Sequence, residues 1–225
     1  RVTASSMAMG DMTTATALAV DLGSSSVRIM AGTLAGGRIE QVEIHRFEHE
    51  AIMKGGYLSW DLDLIWHEIV QGLNEAVARF PGASSVSVDT WGVDWVPLDE
   101  ADRRVTPGRA YRDERTTRTL EAFRQRLPDQ RAWELTGIAP ATINSANQMF
   151  AFLAEEPEAA AATKQVLFLP DYFTYLLSGK KRWSRSHVST SGMCAPGATD
   201  WADEVLETLQ IPADWLGELS AEHDT

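Results

Sequence analysis

Residues 18–28, LAVDLGSSSVR, constrain the fold more than any other stretch. Leu18, Ala19 and Val20 form a short apolar run suited to a buried strand. Asp21 ends that run, Gly23, Ser24, Ser25 and Ser26 follow, and a second apolar run spans Val27 to Ala31. The simplest reading is strand, tight turn, strand. Gly23 lets the backbone approach a ligand because no Cβ intervenes. Serine hydroxyls and converging turn N–H groups can cradle a phosphate without a helix N-terminus. Asp21, at the strand's carboxyl end, is placed to hold a hydrated Mg²⁺ or to orient a hydroxyl. A polar hairpin turn with a surface aspartate satisfies the same residues, since Gly, Ser and Asp are common turn formers.

The pattern beyond this hairpin predicts a mixed sheet. Gly36-Gly37 marks a turn, and residues 39–47 alternate as a third antiparallel strand, with His45 on its surface. Residues 49–56 read as a loop. Asp61 or Ser59 caps a helix whose stripe is Leu62, Ile65, Trp66, Ile69, Val70, Leu73 and Val77, with Trp66 in the core. Pro81-Gly82 breaks it. Residues 85–90 form a further strand, and Trp95–Leu98 another after a Trp-Gly turn. Such a βββαβ order predicts an α/β sheet, with ligands gathering at the strands' carboxyl ends, where Asp21 and Asp89 both lie. Helices follow over 115–126, 132–135 (stopped at Gly137), 147–154, 157–164, 172–177 (capped by Asp171, closed by Gly179) and about 203–209, with an apolar run over 166–169.

Composition excludes some partners. With 32 acidic and 20 basic residues, the net charge of −12 provides no basic footprint for nucleic acid or an anionic membrane. No run approaches the roughly 18 apolar residues of a membrane-spanning helix. The lone Cys194 permits no disulfide framework, fits a reducing, cytoplasmic compartment, and reads as an inert half-buried thiol. The five histidines never cluster at zinc-ligand spacing. Residues 1–16 are small and polar, open on Arg1 and lack an apolar signal core; they are expected to be a disordered leader or expression remnant ahead of a domain over 17–225.

A second informative stretch is DTWGVD, residues 89–94. Asp89 and Asp94 bracket a turn in which Gly92 permits close approach and Trp91 offers a flat apolar face to a sugar's C–H surface. The alternative is a strand-turn-strand with charged edges. Arg112 and Arg115 either meet phosphate or pair with Asp113 or Glu114, and Asn144 and Gln148 either reach a sugar or, for Asn144, cap a helix.

The segments DLGSSSVR, HRFEH, GYLSWDLDLI, DTWGVDWVPLD, YRDERT, TGIAPATIN and PDYFTYLLSG occur in that order. Together they resemble the N-terminal domain of the FGGY carbohydrate kinases, most closely the rhamnulokinase branch, over residues 18–215. DTWGVD and PDYFTYLLSG separate that branch from glycerol, xylulose and gluconate kinases. The resemblance implies an actin-like (ribonuclease H-like) α/β fold, with a mixed five-stranded sheet flanked by helices. It implies transfer of the γ-phosphate of ATP, with Mg²⁺, to the 1-hydroxyl of L-rhamnulose or a similar ketose. Ser24, Ser25, Ser26, Val27 and Arg28 would take the phosphates, Asp21 would face the metal and the reacting hydroxyl, and Gly92 would contact the sugar. Trp91, Asp94 and residues 111–113, Asp113 among them, would line the sugar side. Ser24 stands where relatives often carry Ala or Thr, and Val27 where rhamnulokinases often carry Gly, which would restrict the turn.

The family's catalytic base is an Asp in a Ser-His-Asp-Thr segment, expected beyond Thr225 and followed by an adenine-binding domain. Asp224, in the terminal His223-Asp224-Thr225, is the candidate within the chain, but no apolar strand precedes it to carry that segment. The expectation is therefore a sugar kinase parent and an inactive isolated chain. A non-catalytic sugar-binding fragment and a kinase for L-fuculose or another ketose are the alternatives. Another actin-like ATPase domain is disfavoured, because a long acidic phosphate loop is missing. Every version requires the serine bend and the Trp-Gly bend to open from neighbouring edges of one sheet.

Overall fold

The computed structural model describes residues 14–197 and 200–220. Of the leader expected over 1–16, residues 1–13 lie outside the described residues, as does the terminal His223-Asp224-Thr225, whereas Ala15 and Thr16 already belong to the first strand of the domain because they pair with Leu34 and Thr33. Strands β1 (Ala15–Leu22) and β2 (Ser26–Ala35) pair antiparallel, setting Asp21 opposite Arg28 and Leu22 opposite Val27. After the turn at Gly36 and Gly37, both at positive φ, β3 (Arg38–Glu48) completes the meander. Strands β4 (Ile52–Lys54) and β5 (Tyr57–Trp60) make a second hairpin over Gly55 and Gly56, inside the span predicted as loop. All three residues of β4 are exposed, so no alternation marks it.

Helix α1 (Leu62–Arg79) starts where Asp61 Oδ1 accepts the Leu64 N–H at 3.1 Å, which selects Asp61 over Ser59 as the cap. Its buried stripe is narrower than predicted: Leu62, Ile65, Ile69, Gly72 and Ala76 are covered, whereas Val70 and Val77 are exposed. Trp66 is half-buried and stacks on Phe173 at 6.4 Å. Strand β6 (Ala83–Thr90) then joins parallel to β1, giving the sheet order β3-β2-β1-β6. Leu18, Val20 and Leu22 are buried, whereas Ala17 and Ala19 on the opposite face are exposed, as β6 is along much of its length. His45 is not a free surface residue: its Nε2 meets Glu68 Oε2 of α1 at 2.8 Å.

The predicted fifth strand leaves this sheet. Strand β7 (Trp95–Leu98) is buried on both faces and is followed by β8 (Gly108–Arg109), which pairs with β5. Helices α2 (Arg115–Arg126), α3 (Asp129–Thr136), α4 (Ser145–Glu155) and α5 (Pro157–Ala162) lead to β9 (Gln165–Phe168), the apolar run, which pairs antiparallel with β7. The main sheet therefore has four strands among the described residues, and β7-β9 is a separate ribbon. Helix α6 (Leu169–Ser178) ends at Gly179 in the left-handed region, as predicted, but Asp171 lies inside its first turn rather than capping it. The Asp171 carboxylate instead accepts from the Ser184 N–H and hydroxyl. Strand β10 (Trp183–Ser184), α7 (Arg185–Val188), α8 (Asp203–Leu209) and β11 (Leu219–Ser220) finish the helical layer. Cys194 is buried and its Sγ donates to the Asp200 carbonyl at 3.0 Å. None of the described helices is long and apolar enough to cross a membrane.

Gly72 lets α1 press onto the meander. A Cβ there would meet Ile29 Cγ1 and would lie 2.9 Å from His45 Cβ. Gly72→Ala is expected to cost about 1–3 kcal/mol of stability through overpacking, read as a lower urea midpoint at unchanged m.

Candidate active site at the carboxyl end of the sheet

The two bends are neighbours. The serine bend leaves the carboxyl end of β1, the Trp-Gly bend leaves that of the parallel β6, and the Trp91 N–H donates to the Leu22 carbonyl at 3.2 Å. Asp21 and Asp89 sit side by side in register on these strands. This is the geometry that the sequence reading required.

The serine bend closes with the Gly23 N–H on the Ser26 carbonyl at 2.9 Å, and a Cβ on Gly23 would lie 3.2 Å from that oxygen. The bend needs no left-handed residue, so β-branched Val27 occupies it unstrained, its side chain in the core and only its main chain at the turn. Among the described residues the hydroxyls of Ser24, Ser25 and Ser26 have no hydrogen-bond partner. Arg28 and Asp21 form an ion pair across the hairpin, with side chains 41% and 37% exposed. The predicted phosphate cation and metal carboxylate are thus brought together.

In the second bend Gly92 is exposed and faces Thr190, whose Oγ1 would lie 3.5 Å from a Cβ at Gly92. Val93 adopts φ +73°, an unusual conformation for a β-branched residue. Its carbonyl is held there by Ser145 Oγ at 2.7 Å and Gln148 Nε2 at 3.2 Å.

Asp94 differs from its predicted place on the sugar side. It is 2% exposed, and its Oδ2 accepts the indole N–H groups of Trp60 at 2.6 Å and Trp91 at 2.8 Å, while Oδ1 accepts Gln148 Nε2 at 3.3 Å. Burial pushes its pKa up to about 6, against the opposing pull of the indoles, Arg115 and Gln148. Asp94 therefore sets the tilt of Trp91 from behind. Asp113 is likewise buried, accepting the Leu58 N–H at 2.6 Å and the Arg115 N–H at 2.9 Å, so it ties β5 to the start of α2. Arg115 is buried and donates to the Ala110 carbonyl and to Gln148 Oε1, which occupies Gln148 fully. Arg112 lies on the surface against Tyr111. Asn144 occupies the N-cap position of α4, but its Oδ1 accepts the Ala141 N–H and its amide donates to Thr190.

His49, the last residue of the HRFEH segment, was assigned no role from the sequence. Its Nε2 donates to the Gly23 carbonyl at 2.9 Å, its backbone N–H donates to the Ser25 carbonyl at 3.0 Å, and its ring stacks on Trp91 at 5.6 Å and meets Trp60 edge-on at 5.5 Å. His187, held below the usual imidazole range by burial, lies near enough to Asp171 and Asp89 to feel both charges. Among the described residues no group of three or more His, Cys, Asp or Glu side chains is arranged to hold a metal by itself.

Comparison with known proteins agrees with this geometry. A sequence model described as the FGGY family of carbohydrate kinases, N-terminal domain, matches residues 16–224. The chain is 34% identical over 215 residues to a protein named rhamnulokinase from Halalkalibacterium halodurans, covering 91% of this chain and 46% of that protein. It is 36% identical over 197 residues to one of the same name from Enterococcus faecalis, covering 87% and 39%. The chain thus spans less than half the length of the curated relatives it matches. Among solved structures it superposes on a gluconate kinase from Lactobacillus acidophilus with a TM-score of 0.81 at 15% identity, covering 92% of this chain and 42% of that one. A ligand-bound xylulose kinase from the same organism gives 0.78 at 15% identity, covering 91% and 42%. These structural matches show the actin-like fold.

Asp94→Ala leaves buried donors unpaired and is expected to cost about 3 kcal/mol at neutral pH. The pKa of Asp94 is raised on folding, so the folded state holds the proton more tightly; that stability is present below the unfolded value of 3.8 and is lost as pH rises through about 6. Urea unfolding of the wild type and Asp94→Asn across this range should show the wild type gaining relative stability on acidification.

Proposed function

The chain belongs to the FGGY family of carbohydrate kinases as its N-terminal domain, and we propose that it supplies the sugar floor and the phosphate bend of an ATP-dependent kinase acting on L-rhamnulose or a similar ketose. The observation that carries this reading is the adjacency of the two bends at the carboxyl ends of β1 and β6. The names of the sequence relatives support L-rhamnulose as the substrate.

The residues fit the implied magnesium ion. Mg²⁺ keeps several waters and takes one or two carboxylates plus substrate phosphates, and Asp21 offers one half-exposed carboxylate beside the serine bend. When bound, it would neutralise charge on the transferring phosphoryl group. Ser24, Ser25 and Ser26 present unpartnered hydroxyls, Val27 its main chain, and Arg28 a guanidinium to the phosphates. Trp91, tilted by Asp94, offers its face to the sugar, and exposed Gly92 leaves room for it. Neither Asp94 nor Asp113 is free to accept the hydroxyl proton, because both carboxylates are buried among donors. The base is proposed to lie outside the described residues, and residues 1–225 alone are proposed to give no turnover. A cytoplasmic location belongs to the same proposal.

The test is ADP release by the parent protein with L-rhamnulose, L-fuculose and L-xylulose. L-Rhamnulose should give the highest kcat/KM; a better rate with either other sugar overturns the substrate, and no turnover with any ketose overturns the kinase reading. Asp21→Asn is expected to lower kcat at least about a hundredfold, and Gly92→Val to raise the sugar KM about tenfold with a smaller change in the ATP KM.

A further inference from the structure

His49 stands where the two bends meet. Its Nε2 must carry hydrogen, because the Gly23 carbonyl can only accept. Its Nδ1 is buried and has no partner. One hydrogen bond, the stack on Trp91 and the edge-on contact with Trp60 therefore fix the ring, with Phe47 stacked 5.6 Å away. The backbone adds a second tie, from the His49 N–H to the Ser25 carbonyl. Burial keeps the imidazole below its ordinary pKa and so favours the neutral ring, opposed by the bond to the Gly23 carbonyl, which favours the protonated one.

We propose that His49 is a positioning residue that joins the serine bend and the sugar-facing Trp91 into one rigid unit. The proposal rests on the kinase reading above. The hydrogen bond to Gly23 holds the phosphate side and the stack on Trp91 holds the sugar side, so the ring keeps the two substrates at a fixed separation. Such alignment matters because a displacement of about 1 Å can cost about a hundredfold in rate. The ring touches no reacting atom; it acts through Gly23 and Trp91.

Two substitutions separate its two grips. His49→Phe keeps a ring and loses the donor; His49→Gln keeps a donor and loses the ring. In the parent enzyme, His49→Phe should lower kcat and raise the ATP KM, each about tenfold, with the sugar KM within about twofold. His49→Gln should raise the sugar KM about tenfold while leaving the ATP KM within about twofold. Amide hydrogen exchange on the 225-residue chain supplies a readout independent of activity. His49→Phe should speed exchange over residues 22–27 and spare 89–94, and His49→Gln should do the reverse. If both variants loosen both segments equally, or neither segment moves, the bridge is refuted. Should the wild-type parent transfer no phosphate to any ketose, the kinase reading fails and this positioning role fails with it, while the exchange pattern still decides whether His49 joins the bends.

Discussion

A carboxylate shut away from water organises the cleft. A buried charge is tolerated only when donors surround it, and Asp94 draws them from separate parts of the chain: Trp60 on β5, Trp91 in the bend and Gln148 on α4. Behind Gln148 stands Arg115 of α2, itself buried. The sheet, the second hairpin and the helical layer are thereby registered against one another at a single point. Removing water from this point strengthens each bond and makes each vacancy expensive.

The same network supports local strain. Val93 holds a left-handed backbone at a cost of about 1–3 kcal/mol, which persists only because Ser145 and Gln148 grip its carbonyl. The strained residue separates exposed Gly92 from buried Asp94, so the chain turns from the surface into the core within two residues. A glycine would adopt this backbone without strain.

The meander, α1 and the parallel strand were legible because alternation, paired glycines and a cap aspartate are local signals. The destination of Trp95–Leu98 was not, since a strand buried on both faces has no alternation and its partner lies some seventy residues on in β9. The positions of Asp21, Gly92 and the serine bend at the carboxyl ends of their strands were legible for the same local reason. Asp94 and Asp113 were placed on the sugar side because a polar letter does not reveal whether its partner is a ligand or an indole elsewhere in the chain, whereas the pairing of Arg115 with Asp113 was one of the two readings left open. His49 was given no role because its contacts, the bond to Gly23 and the stack on Trp91, come from elsewhere in the chain, and Val93 because no β-branched residue announces positive φ.

The pair formed by Asp21 and Arg28 has an electrical consequence. Each offsets the other's charge across the hairpin, beside the further carboxylate of Asp89, in a chain that as a whole carries −12. An anion arriving alone would take the guanidinium and release an uncompensated carboxylate; a cation arriving alone would do the converse. A visitor carrying both signs exchanges one ion pair for two, and the local sum of charge changes only by the visitor's own net charge.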